Sequence, residues 1–300
     1  MSQRPDDDIA GLRIVKHRHW GRWFSALIVL LLLSLVVTSM VKNPRFEWGV
    51  VAQNLTEESI LAGVLMTIEL TVISVVFGFA SGTLLALMRL SSNPVLVSVS
   101  WAYTWFFRAV PMLVQLFLWY NIAALYPQLS LSLPLVGEVW SAETNEIISP
   151  FSAAVLALVI HQSAYAAEII RAGIQSVGQG QLEAAKALGY RPGQIFRQTV
   201  LPQAMRTILP PAGNEVIGQL KTTAVVSVIA LQDVLYSAQI IYQRTYEVIP
   251  LLLVATLWYL VMTSVLSVLQ HYIEVRFSRG NGPVRSSWLR RNKVTQEAES

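Results

Sequence analysis

The sequence contains no cysteine and only four histidines among its 300 residues. Disulfide bonds are therefore excluded, and we expect no metal site built from His and Cys ligands. Charged residues are also scarce, at 13% of the chain against about 25% in typical soluble domains. Hydrophobic residues make up 54%, and they fall in long runs. Such runs are typical of membrane-spanning helices rather than of a soluble core.

Signatures of catalysis are missing as well. The sequence has no Gly-x4-Gly-Lys-Ser/Thr phosphate loop, so we expect the chain to bind no ATP itself and to need no cofactor. No set of nucleophile, base and orienting residue emerges, and no cluster of metal ligands. We therefore expect a protein that is not an enzyme.

Six apolar runs are long enough to cross a bilayer, which takes about 20 mostly apolar residues. They cover residues 23–41, 59–88, 95–126, 151–167, 211–232 and 248–273. The fifth run is the weakest, because it contains Glu215 and Lys221. The first follows a basic flank, as a signal peptide does, but it is longer than the usual run of about 7–15 residues and no Ala-x-Ala follows, so we expect a retained helix. The predicted fold is all-α, with about six transmembrane helices.

Lysine and arginine are distributed unevenly along the chain. They cluster before the first run, after the fourth and after the last, whereas the loop 127–150 contains three glutamates and no basic residue. The positive-inside rule then places both termini in the cytoplasm and this loop outside a cell (inner) membrane. The expected cytoplasmic tails are 1–22 and 277–300. Orientation also explains the net charge of +4, so we expect no nucleic-acid partner.

The cytoplasmic segment between the fourth and fifth runs predicts two short helices with a sharp break. Residues 181–188 are strong helix formers, and Gly189 stands where a helix end favours positive φ. Pro192 suits the first turn of the second helix, and we expect Pro202 to end it. A helix lying on the membrane surface would have the same spacing, so spacing alone leaves both interpretations open.

The same segment carries a recognisable motif. Glu183-Ala184-Ala185, Gly189 and Leu201-Pro202 have the spacing of the EAA loop of ABC importer permeases, with Thr199 where an aliphatic residue is usual. Ala164-Tyr165-Ala166-Ala167-Glu168 and Phe107-Arg108-Ala109-Val110-Pro111 resemble the polar-amino-acid branch, the histidine/glutamine/opine type, although Ala-Val replaces the usual Gly-Thr. The chain is similar to this family over roughly residues 60–276.

The resemblance implies a type I ABC importer permease fold with its core at 60–276, an additional helix at 23–41 and a coupling loop at 176–206. It implies a second permease chain, identical or related, that completes a path for polar amino acids or related compounds. It also implies a cytoplasmic ABC ATPase dimer and an extracytoplasmic substrate-binding protein. The residues expected to couple to the ATPase are Glu183, Ala184, Ala185, Gly189, Leu201 and Pro202.

Polar side chains within the runs are candidates for substrate contact, because they are rare in membranes and are usually functional or paired. His161 and Tyr165 share one helix face, and Arg108 precedes a proline that can open the helix toward a cavity. The candidate pore residues are Arg108, Gln115, His161, Tyr165, Asn214, Glu215, Gln219 and Lys221. The alternative is that they hold helices together.

A second class of function stays open at this point, namely a stand-alone secondary transporter or channel for small polar solutes. Such proteins often contain inverted repeats and broken helices. The sequence has no convincing internal repeat, although Pro111 leaves one broken helix possible. Dependence on a separate ATPase distinguishes the two classes.

Overall fold

The structure, a computed structural model, describes residues 20–133 and 137–278. Apart from residues 20–22 and 277–278, the two predicted tails lie outside the described residues. The chain divides into two compact units, Met1–Trp48 and Gly49–Ser300. The first contains α1 (Trp20–Lys42) and a 3-10 turn (Pro44–Phe46). The indole of Trp48 stacks on Phe46, with ring centroids 5.5 Å apart, and donates a hydrogen bond to the Met40 carbonyl.

The second unit is predominantly helical. Its helices, in chain order, are α2 (Trp48–Asn54), α3 (Glu58–Arg89), α4 (Pro94–Ala109), α5 (Met112–Tyr120), α6 (Ile122–Leu125), α7 (Thr144–Ile147), α8 (Pro150–Gln175), α9 (Gln179–Ala187), α10 (Pro192–Gln194), α11 (Leu201–Thr222), α12 (Val234–Thr245) and α13 (Val248–Ser278). A π-helix (Ile195–Val200) precedes α11, and a 3-10 helix (Thr223–Ile229) follows it.

The centre of this unit is the contact between α3 and α8, which is lined by small residues. A Cβ added to Gly82 of α3 would lie 2.7 Å from the Ala166 Cβ and 2.9 Å from the Ser163 carbonyl oxygen of α8. Gly78 is equally close to the side chain of Gln162. Small residues let helices approach closely in a bilayer, where hydrophobic burial drives association only weakly. The two helices therefore form the scaffold on which α4, α5 and α11 pack.

Four helices of the described residues are long and apolar enough to cross a membrane: α1, α3, α8 and α13. The segment containing α11 forms a bent pair with α12, at 43°, that can add a fifth. The sequence predicted about six, and the difference lies in the run 95–126. Pro111 divides this run into α4, of 16 residues, and α5, of 9. Val110 is extended, because the residue before a proline avoids the helical conformation.

A small β-hairpin adds to the predicted all-α fold. Strands β1 (Gln128–Leu133) and β2 (Gly137–Glu143) pair antiparallel. Leucine and serine alternate along β1, which is the period-2 signal of a strand. That signal was present in the sequence, and the prediction did not use it.

The prediction that Pro202 ends a short helix was wrong. Helix α10 continues through the π-helix into α11, and Pro202 lies in the first turn of α11. A proline is tolerated there because its missing N–H removes few helical hydrogen bonds. The helix that contains the fifth run therefore begins at Leu201 rather than at Pro211, and Pro210 and Pro211 lie inside it.

Candidate translocation site and coupling loop

Four of the eight candidate pore residues come together on α4, α8 and α11. The guanidinium carbon of Arg108 lies 5.3 Å from the centroid of the Tyr165 ring. That ring is 4.9 Å from the imidazole of His161, one turn earlier on α8. Glu215 on α11 is within electrostatic reach of Arg108. We name Arg108, His161, Tyr165 and Glu215 the polar cluster.

The polar cluster is only partly covered by the chain itself. Arg108 is exposed, and the other three side chains are half-buried. Nδ1 of His161 is buried and has no hydrogen-bond partner among the described residues. A charged side chain on a membrane helix is costly when it faces lipid, so such groups turn toward a protein partner or a water-filled cavity. The arrangement therefore favours a polar cavity in front of α4, α8 and α11.

Gln115 and Gln219 are buried among helices, unlike the four residues of the polar cluster. Nε2 of Gln115 donates to the carbonyl oxygens of Phe107 and Val110, both at 2.8 Å, which lie at the break before α5. Nε2 of Gln219 donates to the Leu158 carbonyl of α8 at 3.2 Å. Both side chains are at most 2% exposed. Hydrogen bonds of this kind hold helices together, as the alternative interpretation of the candidate pore residues proposed.

Asn214 and Lys221 lie apart from the polar cluster. Oδ1 of Asn214 accepts a hydrogen bond from Nε2 of Gln270, at 3.3 Å, so this side chain faces α13. Lys221 is exposed near the end of α11, six residues beyond Glu215. In the part of the chain that the structure describes, no hydrogen bond or ion pair joins either residue to the cluster. Asn214 and Glu215 are adjacent in sequence, yet they face different parts of the structure.

The coupling loop has a rigid turn at the position that the sequence predicted. The N–H of Gly189 donates to the Lys186 carbonyl at 2.9 Å, and the N–H of Tyr190 donates to the Ala185 carbonyl at 3.2 Å. These two bonds form a Schellman motif, which ends α9. Gly189 has φ of 77°, in the left-handed region, as expected.

The next turn of the coupling loop begins α10. The N–H of Arg191 donates to Oε1 of Gln194 at 2.9 Å, and Pro192 fills the first helical position. The π-helix that follows ends where the N–H of Leu201 donates to the Phe196 carbonyl, five residues earlier. Helix α10 thus passes through the π-helix directly into α11.

The two alanines of the motif differ in their surroundings. Glu183 and Ala184 are exposed on α9, and so are Leu201 and Pro202 at the start of α11. Ala185 is only 5% exposed and packs inside the chain. One face of α9 therefore covers the loop beneath it, and Ala184 is the alanine of the motif that stays exposed.

A family model described as a binding-protein-dependent transport system inner membrane component matches residues 74–279. This chain belongs to that family. The match includes the polar cluster and the complete coupling loop. The protein is therefore an integral membrane permease of an ABC importer, and α1 lies before the matched region.

Individual relatives agree with this assignment. The permease is 42% identical over 265 residues to an arginine transport system permease protein of Corynebacterium glutamicum, an alignment that covers 88% of this chain and 82% of that protein. It is 40% identical over 208 residues to a nopaline transport system permease protein of Agrobacterium fabrum, covering 69% and 83%. A crystal structure of an amino acid ABC transporter with histidines is 39% identical, with a TM-score of 0.62, and the alignment covers 73% of this chain and 94% of that one.

Sequence reasoning missed Asp233, a buried carboxylate that connects two helices of the permease. Asp233 is fully buried at the start of α12. Its Oδ1 accepts a hydrogen bond from the Tyr236 N–H at 2.8 Å, and its Oδ2 accepts from the Tyr259 hydroxyl of α13 at 3.1 Å. The next N–H, of Val234, donates to Oγ1 of Thr67 on α3 at 3.3 Å. Asp233 and Val234 together thereby connect α12 with α13 and α3. An aspartate directly before an amphipathic segment is an N-cap signal that the sequence did contain.

Proposed function

We propose that this permease, together with a second permease chain that is identical or related, forms the translocation path for a polar amino acid. The polar cluster is the observation that carries the proposal. It places a cation, an anion, an aromatic ring and an unpaired imidazole nitrogen on three neighbouring helices of a membrane protein. Arginine is the first substrate to test, because a relative with 42% identity is named for arginine transport.

The cluster has the chemistry that an amino acid zwitterion needs. The Arg108 guanidinium can pair with the substrate carboxylate through two parallel hydrogen bonds. The Glu215 carboxylate can accept from the substrate ammonium group, and the Tyr165 ring can stack on a planar or cationic side chain. Each charge of the substrate thus finds an opposite charge, which offsets the cost of removing it from bulk water.

Partners supply what the permease lacks. We place ATP binding and hydrolysis on a separate ABC ATPase dimer that docks on the coupling loop, so that this chain is neither an enzyme nor a holder of cofactors. Both termini lie in the cytoplasm, and the β1–β2 hairpin lies outside, where a substrate-binding protein delivers the ligand. The uneven distribution of lysine and arginine supports this orientation.

Uptake by proteoliposomes tests the proposal. The permease is reconstituted with its ATPase and binding proteins, and uptake of labelled arginine and glutamine is measured with and without ATP. We expect ATP-dependent uptake, which Glu215→Gln reduces by about tenfold or more without loss of assembly, because an ion pair to the substrate is lost.

The matched control is Glu168→Gln. Glu168 already pairs with Arg171, at 2.7 Å, on the same helix as Tyr165, so its loss should leave uptake within about twofold of the unmodified permease. Uptake by the permease alone, without ATPase, would contradict the proposal in favour of a secondary transporter. Equal effects of the two substitutions on uptake would show that the polar cluster is not part of the translocation path.

A further inference from the structure

The β1–β2 hairpin makes its main contacts within itself and with a short helix. In the described residues its strands contact each other and the short helix α7, which continues β2. A two-stranded hairpin is at most marginally stable in water without a surface to pack on. It is nevertheless fixed at its base, where the Thr144 N–H donates to the Pro127 carbonyl at 2.9 Å and the Thr144 hydroxyl donates to the Tyr126 carbonyl. The base of the hairpin is thus fixed to the chain by two hydrogen bonds.

A β-bulge shapes the exposed side of this hairpin. Trp140 pairs with Leu131, and Glu138 pairs with Ser132, so Val139 is the extra residue of β2. A bulge of this kind bends the strand and re-aims the side chains beside it. Val139 is 54% exposed and Trp140 is 49% exposed. Tryptophan is enriched among the residues that contribute most to protein interfaces, so the exposed Trp140 is a candidate for contact with a partner.

The surroundings of this apolar pair are acidic. Glu143 at the end of β2 and Glu146 in α7 are exposed, and the chain has no lysine or arginine between residues 109 and 170. Next to them, a cavity of about 600 Å³ opens between the ends of α5 and α8, and it is lined by polar groups of Asn121, Asn145 and Ser149. The polar lining of the cavity and the two exposed carboxylates suit a partner that presents basic side chains.

We propose that the hairpin and its acidic base form a docking surface for the substrate-binding protein, which meets it with a lobe that carries lysine or arginine around an apolar spot. The inference rests on the proposed orientation and importer function. It predicts that the binding protein carries positive charge where it contacts the acidic base of the hairpin. A membrane surface is the competing partner, since tryptophan also favours the headgroup region, but the carboxylates and the absence of basic residues disfavour contact with anionic lipids.

Hydrolysis by the reconstituted complex tests the docking surface. The probe is the binding protein that supports uptake in the experiment above, and the measurement is its concentration at half-maximal stimulation of the ATPase, at low and high salt. For Glu143→Gln/Glu146→Gln we expect this concentration to rise about three- to tenfold at low salt, with an unchanged maximal rate and a weaker salt dependence.

The control is Glu57→Gln/Glu58→Gln, which removes two exposed carboxylates at the start of α3, at the same end of the bundle and with the same change of net charge. We expect this pair to shift the concentration by less than twofold. Equal shifts in the two double variants, or no shift in the hairpin variant, would overturn the docking surface while leaving the importer function intact. If no binding protein stimulates ATP hydrolysis by the unmodified complex, the proposed function and the proposed docking surface are both contradicted.

A second measurement separates the binding protein from the membrane. The chain has no cysteine, so Trp140→Cys introduces a single labelling site. We expect a membrane-impermeant thiol reagent to label this variant in intact proteoliposomes, and the binding protein to protect it. Labelling that requires detergent would overturn the proposal in favour of contact with lipid. Full labelling in the presence of saturating binding protein would overturn it as well.

Discussion

Gly189 offers the sharpest test of the coupling loop, because substitutions there distinguish the effect of backbone conformation from the effect of side-chain size. It has φ of 77°, and a Cβ added to it would meet no atom within 4 Å. A side chain therefore has room in the permease, and only the left-handed backbone opposes it. Gly189→Val strains the turn between α9 and α10 and leaves the membrane helices untouched.

The magnitude follows from the conformation. An L-residue other than glycine pays about 1–2 kcal/mol in the left-handed region, and a β-branched residue lies at the upper end. Because about 1.4 kcal/mol corresponds to tenfold, the population of the native turn should fall roughly 5- to 30-fold. Asparagine tolerates this region far better, so Gly189→Asn should retain most of the native turn.

The assay is co-purification of the ATPase with the permease, followed by hydrolysis stimulated by the loaded binding protein. We expect Gly189→Val to lose most of both signals and Gly189→Asn to keep most of both. Gly180→Val is the matched control, since Gly180 lies within α9 and a Cβ there also meets no atom within 4 Å. It should remain close to the unmodified permease, because its backbone is already helical.

Two results would refute this reasoning. Normal co-purification and hydrolysis in Gly189→Val would show that the turn is not needed for coupling. An equal loss in Gly189→Asn, or in Gly180→Val, would show that bulk at the surface of the loop matters rather than backbone conformation.

Three further predictions concern orientation and packing. A membrane-impermeant thiol reagent applied to intact cells should label Ser141→Cys and not Ser2→Cys, and the opposite pattern would reverse the proposed orientation. Tyr259→Phe removes a hydrogen bond to the buried carboxylate of Asp233, so it should destabilise the permease by about 1–3 kcal/mol and lower its thermal midpoint in detergent; an unchanged midpoint would show that this bond contributes little. Gly82→Ala gains up to about 1 kcal/mol of helix propensity, but it overpacks the α3–α8 contact at a cost of about 1–3 kcal/mol. We therefore expect the thermal midpoint of the permease to fall. A rise would show that α3 and α8 can move apart at little cost.

Local chemistry explains which features could be predicted from the sequence. The turn at Gly189 depends on a few neighbouring residues, since strong helix formers precede a glycine and a proline follows three positions later. The break at Pro111 likewise needs only the missing N–H of proline and its effect on the preceding residue. The hairpin belongs to the same class, because its alternation of leucine and serine was visible along β1.

The polar residues of the membrane helices mark the limit of such prediction. Composition and helical period identified Arg108, His161, Tyr165 and Glu215 as candidate pore residues. They identified Gln219 equally well, although this side chain is buried between helices.

By itself, the sequence thus determined the class of protein, its apolar runs and the local shape of the coupling loop, since these depend on neighbouring residues and on the bilayer as solvent. Tertiary structure alone decided that Glu215 lies within electrostatic range of Arg108 while the adjacent Asn214 faces α13, and that Ala185 is covered while Ala184 is exposed. Consecutive residues of a helix point about 100° apart, so they face different neighbours. Those neighbours belong to helices that are distant in sequence, and the local sequence therefore does not reveal them.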